Sequence, residues 1–131
     1  MVSIAAISIS WQRWREQMRS IWIQDRLVAV LFIASVVLNL AAYALFWFGV
    51  KPSSNTVVLH YSVYFGIDLV GPWYQLYSVP LIGTFIWLLN GAILTPLYRH
   101  DQLFGYMLVG MTIFCELLLT ITAVLLLWVN G

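Results

Sequence analysis

The chain has 131 residues, of which 63% are apolar and only 8% charged, against about 25% charged in an average soluble domain. Six Lys and Arg with five Asp and Glu cannot cover the surface of a soluble protein of this size, so the apolar excess must face lipid. The net charge of +1 argues against nucleic acid as a partner, and the single thiol, Cys115, cannot build a disulfide framework.

In chain order, the opening MVSIAAISIS has its charges after the apolar stretch, unlike a signal peptide, so no cleavage is expected. Residues 10–26, SWQRWREQMRSIWIQDR, predict a helix with Ser10 as N-cap. Trp11, Trp14, Met18, Ile21 and Trp22 fall on one side of it and Arg13, Glu16, Arg19 and Ser20 on the other. A Trp-rich face opposite an Arg-rich face suits an interfacial helix in the headgroup plane, serving as a topological anchor or as a docking helix for a partner protein.

Residues 27–50 follow as 24 uncharged residues, about 36 Å of helix for a ~30 Å hydrocarbon core. A second span is predicted over 76–98, with Pro80 harmless in its first turn and Pro96 favouring a kink or early end in its last. The third runs over 104–128 and is interrupted by one charge, Glu116. The fold class expected is therefore an all-α membrane protein of three transmembrane helices, a single membrane domain over 1–131. Arg13, Arg15, Arg19, Arg26 and Arg99 cluster at two of the ends, whereas the first loop offers only Lys51. The positive-inside rule then predicts a multi-pass protein of the cytoplasmic membrane, N-terminus cytoplasmic and C-terminus external.

The external loop, 51–75, is not an ordinary polar connector. After the flexible Lys51-Pro-Ser-Ser-Asn55, residues 57–65 alternate in an extended pattern that Gly66 would end, and Asp68 to Pro72 read as a second turn. Tyr61, Tyr64, Phe65, Trp73, Tyr74 and Tyr77 make an aromatic belt for the outer interface. An extended segment must pair its backbone, so a small structured cap over the outer end of the bundle is expected.

The order His60, Ser62, Gly66, Asp68, Gly71, an aromatic-rich stretch and Pro80 at the start of a membrane helix resembles a bacterial membrane module classed as a domain of unknown function. That module stands at the N-terminus of immunity and signalling proteins that protect cells from the sporulation-delaying toxin, and small bacterial integral membrane proteins are built from it alone. The resemblance covers roughly residues 57–90 with one span on each side. Family members more often have Asn at the position of Ser62, Pro at that of Val58 and a basic residue after the second Gly, where Trp73 and Tyr74 stand here. The resemblance implies the membrane fold and an immunity or sensing role, with His60, Ser62, Gly66, Asp68 and Gly71 as the external motif.

Among the polar residues, Glu116 is the most expensive, since an acid at a helix centre costs about 2.5–3.5 kcal/mol on insertion scales and must face protein or water. Counted at about 1.5 Å per residue from the cytoplasmic ends of their spans, Glu116, Asn90 and Asn39 all fall near mid-membrane, so all three are candidates for one intramembrane cluster. A protonated Glu116 bonded to Asn90 or Asn39 would hold the bundle together; alternatively Glu116 is a proton or cation site. His60 and Asp68 are read as a hydrogen-bonded pair of the external turn rather than as two zinc ligands. Gly83, Gly91 and Gly105 offer points of close helix approach. No nucleophile elbow, phosphate loop, zinc-ligand pair or heptad repeat is found, and no catalytic residue, cofactor or metal is predicted. The expected role is a non-enzymatic accessory, sensing or immunity-type component that binds the lipid bilayer and another membrane protein or further copies of itself. The alternative is a small oligomeric ion or proton transporter or channel subunit using Glu116.

Overall fold

The computed structural model describes residues 11–13, 15–16 and 25–131. Of the predicted interfacial helix, residues 11–13 and 15–16 are helical and exposed. The rest of that reading, including Trp14, Met18, Ile21 and Trp22, lies outside the described residues.

Helix α1 spans Arg26–Gly49, strands β1 and β2 span Val57–Ser62 and Gly66–Gly71, a 3-10 turn covers Trp73–Tyr77, α2 covers Ser78–His100 and α3 covers Gln102–Asn130. Among the described residues three helices are long and apolar enough to cross a membrane, α2 counted together with its 3-10 turn. Pro80 sits in the first turn of α2. Pro96 does not end that helix, which continues to His100. A single residue, Asp101, then joins α2 to α3. Its N–H donates to Leu97 at 3.0 Å and its carboxylate accepts from the Leu103 N–H at 2.8 Å, so it closes one helix and opens the next. The third span therefore starts two residues before the predicted 104.

The molecule is inside-out by the standards of a soluble domain. Leu27, Val30, Ile33, Val37 and Leu40 of α1 are exposed, while its buried residues are Val28, Phe32, Ser35, Asn39, Ala42 and Phe46. Those buried positions step by four and three in alternation, and Gly105, Val109, Thr112, Glu116, Ala123 and Leu126 keep the rhythm on α3 with one position skipped between Glu116 and Ala123. This is the spacing of left-handed helix packing, and it corrects the expectation that no heptad is present. A search for apolar heptads misses it because lipid-facing positions are apolar too; the seam is marked instead by small and polar residues. α3 packs more extensively against α1 and α2 than they do against each other.

The chain is not purely all-α. β1 and β2 form a two-stranded antiparallel sheet, with Val57 opposite Gly71 and Ser62 opposite Gly66. Residues 57–62 are extended as predicted, but 63–65 form the turn, and the segment expected to turn at Asp68 is the second strand. Gly66 adopts φ +73°, open to glycine at no steric cost, and the Ser62 hydroxyl accepts from the Tyr64 N–H at 3.3 Å inside the turn. The base of the hairpin stands on the bundle. Val57 and Leu59 pack against Ala42, Phe46, Leu76, Ala123 and Leu126. Asn130, at the end of α3, accepts from the Val58 N–H at 2.7 Å and donates to the Val58 carbonyl at 2.9 Å, so one side-chain amide satisfies both backbone groups of that residue. Replacing Asn130 by Ala removes both bonds, each contributing about 1 kcal/mol. We expect roughly fivefold or faster hydrogen exchange at the Val58 amide, with unchanged exchange in the middle of α3, measured by mass spectrometry on the full chain.

Candidate functional site

Glu116 stands fourteen residues from either end of α3, so it occupies the middle of the bundle. It is 1% exposed. Its Oε2 accepts from Asn39 Nδ2 at 3.2 Å, and the same nitrogen donates to the Pro80 carbonyl at 2.8 Å. The Asn39 Oδ1 accepts from Thr84 Oγ1 at 3.0 Å, and the Tyr43 hydroxyl lies 3.2 Å from that Thr84 oxygen. Thr120 Oγ1 approaches the Leu38 carbonyl at 3.3 Å and donates to that of Glu116 at 2.8 Å. One asparagine amide thus ties all three helices together.

The centre of this cluster is built on a glycine. A Cβ at Gly83 would lie 2.3 Å from Asn39 Nδ2, 2.6 Å from Glu116 Oε2 and 3.0 Å from Glu116 Oε1, so the backbone of α2 closes the space that the two side chains share. Gly91 and Gly105 play the same part against Phe32 and Tyr98. Among the described residues two buried polar atoms lack a partner, Glu116 Oε1 and Trp87 Nε1.

Asn90 does not join Glu116. It donates to Thr112 Oγ1 at 2.8 Å, and Thr112 donates onward to the Leu108 carbonyl at 2.7 Å. The reason is the short connector: Asn90 lies eleven residues before Asp101 and Thr112 eleven after it, so those two are level in the hairpin of helices. The expected three-residue cluster is therefore two polar layers, one turn of α3 apart.

At the Arg99 end the structure brings together residues that were not singled out from the sequence. Asp25 caps α1 by accepting from the Leu27 and Val28 N–H groups at 3.1 and 3.2 Å. It also accepts from the hydroxyls of Tyr98, at 2.7 Å, and Tyr106. An Asp immediately before a long uncharged run was the available signal for the cap; the tyrosines are legible only once α2 and α3 are paired. The hydrogen bond from Tyr106 is the main reason that Asp25 is held below the usual carboxylate range; burial pulls the other way, and the bonds from Tyr98, Val28 and Leu27 add to the lowering.

At the opposite end, His60 Nδ1 and Asp68 Oδ1 are 2.7 Å apart across the hairpin, with side chains 63% and 40% exposed. The pair lies on solvent-facing hairpin backbone, and no group of three metal-ligating side chains exists among the described residues. Ser62 and Gly66 face each other at the turn, and Gly71 is buried at the hairpin base, where a Cβ would meet Gln75 Oε1 at 2.3 Å and Leu59 Cδ1 at 2.6 Å. The five residues of the external motif thus fall on one hairpin. No family model, curated protein or solved structure matches the chain.

Gly83→Ala forces Asn39 and Glu116 apart and should lower stability by about 1–3 kcal/mol, while Glu116→Gln keeps an acceptor for Asn39 and should stay within ~1 kcal/mol of the parent; equilibrium unfolding in mixed micelles measures both. Because Asp25 is depressed in the folded state, its stabilisation is complete above the ordinary Asp value of about 3.9 and is lost as pH falls through the lower folded value. Asp25→Asn should therefore narrow the stability gap to the parent protein as pH drops below about 4, read as melting temperature against pH.

Proposed function

We propose that this protein is a non-enzymatic integral membrane component, of accessory, sensing or immunity type, that meets a partner membrane protein at the outer face through the exposed side of its hairpin. Arg99 and the arginines before Asp25 set the orientation, with that end in the cytoplasm and the hairpin outside the cytoplasmic membrane. The observation that carries the reading is the contrast between the two polar centres. Glu116 is enclosed by Asn39 and the Gly83 backbone, whereas the His60–Asp68 pair is exposed on a hairpin braced from beneath. An enclosed acid bonded to a neighbouring helix suits cohesion of the bundle, and an exposed pair on a fixed platform suits recognition. The resemblance of the hairpin residues to the toxin-immunity module supports the same class.

The unpartnered Glu116 Oε1 favours the second reading, a small oligomeric ion or proton transporter or channel subunit. The two readings separate in one set of variants, each first checked for membrane insertion by expression level. Recovery of a stoichiometric partner in mild detergent should fall at least tenfold in a His60→Ala, Asp68→Ala double variant and persist in Glu116→Gln. A proton or cation flux in proteoliposomes that vanishes in Glu116→Gln, with no partner dependent on His60, would overturn the proposal.

A further inference from the structure

Val63, Tyr64 and Phe65 at the hairpin turn are 88%, 92% and 85% exposed. Three consecutive bare apolar side chains at a turn require a cover. The faces of the hairpin say what it is. Leu59 and Leu69, one from each strand, line a cavity of about 250 Å³ with Leu76, Val79 and Leu126 of the bundle, so they lie on the underside. The register is irregular on either side of His60, which stands opposite Leu69, but the two shifts cancel, so that Tyr61 pairs with Ile67 in the same parity as Val57 with Gly71; alternation along each strand then keeps Tyr61 and Ile67 on that underside, two residues further towards the turn and beyond the helices. Both are more than half exposed. The bonded His60 and Asp68 occupy the opposite face. The underside is thus apolar, while the polar His60, Ser62 and Asp68 stand on the upper face beside Val70.

We infer that the hairpin lies flat on the outer surface of the bilayer, with Tyr61 and Ile67 and the Val63–Tyr64–Phe65 turn immersed in the lipid interface and His60 and Asp68 in water. The occupant of the bare surface is lipid. Three observations select it over a protein. The underside continues the lipid-facing surface of the spans, whose hairpin ends carry the exposed Trp47, Phe48 and Trp128, and Tyr, Trp and Phe at that level form the aromatic belt of a membrane interface. No Asp, Glu, Lys or Arg stands between Lys51 and Asp68, so nothing on that stretch resists the headgroup region. The two strands pair with each other, Asn130 takes the Val58 N–H and carbonyl and the Ser62 hydroxyl takes the Tyr64 N–H; the remaining outward groups of a two-stranded sheet are met by water and headgroups at the interface, a depth that β structure tolerates where the hydrocarbon core would not. The inference rests on the three spans and is independent of any partner for His60 and Asp68.

The test uses the full chain with Cys115→Ser and one added cysteine carrying a nitroxide, reconstituted at high dilution in phosphatidylcholine–phosphatidylglycerol vesicles. Power saturation compares access of oxygen, which concentrates in lipid, with that of a water-soluble nickel chelate. Tyr64→Cys and Ile67→Cys should give oxygen-to-nickel ratios below that of the mid-span Leu40→Cys in α1 and at least severalfold above those of Ser53→Cys and His60→Cys. Because position 64 makes no packing contact that holds the fold, and 67 reports the same face, failure of one variant leaves the other. Ratios at 64 and 67 equal to that at 53 would overturn the inference, as would shielding from both reagents, which would mean that a second copy covers the patch.

Discussion

A hydrogen bond between Asn39 and Glu116 governs this structure because it acts where the hydrophobic effect does not. Inside a bilayer, moving a leucine from lipid to a helix interface gains little, and helices associate through close packing and polar contacts. The buried seam follows that rule: Ser35, Asn39 and Ala42 are buried on α1 and Thr112, Glu116 and Ala123 on α3, Asn39 bonds Glu116, and Gly83 of α2 abuts that pair. Larger apolar residues populate the outside. The acid is tolerated at mid-span because its neighbours supply a donor and because glycine lets the third backbone close over it.

Two further clamps share this logic and sit at the ends. Asp25 gathers Tyr98 and Tyr106 at the start of α1, and Asn130 gathers β1 at the end of α3. Each joins segments more than seventy residues apart in sequence. With the Asn39 and Asn90 layers between them, the structure is tied at four levels, and the hairpin is registered to the helices instead of hanging from a seven-residue linker. A hairpin of two strands alone is marginal in water; here the helix ends provide the rest of its support.

Spans, their number and the presence of ordered structure in the first loop were legible in the sequence because each depends on local composition and period. Alternation from Val57 revealed β1, but GIDLVG did not read as β2: Gly and Asp are turn formers by local preference, and only pairing with β1 overrides them. Glu116 was legible from its cost, and Asn39 as one of two partners. The choice between Asn39 and Asn90 was not, since it turns on the single-residue connector at Asp101, and a shift of two residues in the start of α3 moves every level by about 3 Å. The seam itself was hidden because a pattern of apolar residues carries no contrast in a chain where lipid also demands them. Small and polar residues at alternating three and four spacing are the signal that survives.

The same distinction bears on the His60–Asp68 pair. Exposed ion pairs contribute about 0–1 kcal/mol, and here the imidazole must also be protonated for the pair to be ionic at all. The hairpin does not need it: Leu59 is seated on the bundle, Gly71 abuts Gln75, and Asn130 bonds both backbone groups of Val58. A polar pair that adds little to cohesion, placed on the face of a braced platform that points away from the apolar underside, is free to serve an encounter with something else. Glu116 is in the opposite position, since removing it leaves Asn39 with a buried donor unpaired in a low-dielectric bundle. Exposure and burial thus divide the chain's polar residues into those that keep the three helices in register and those that remain available at the surface.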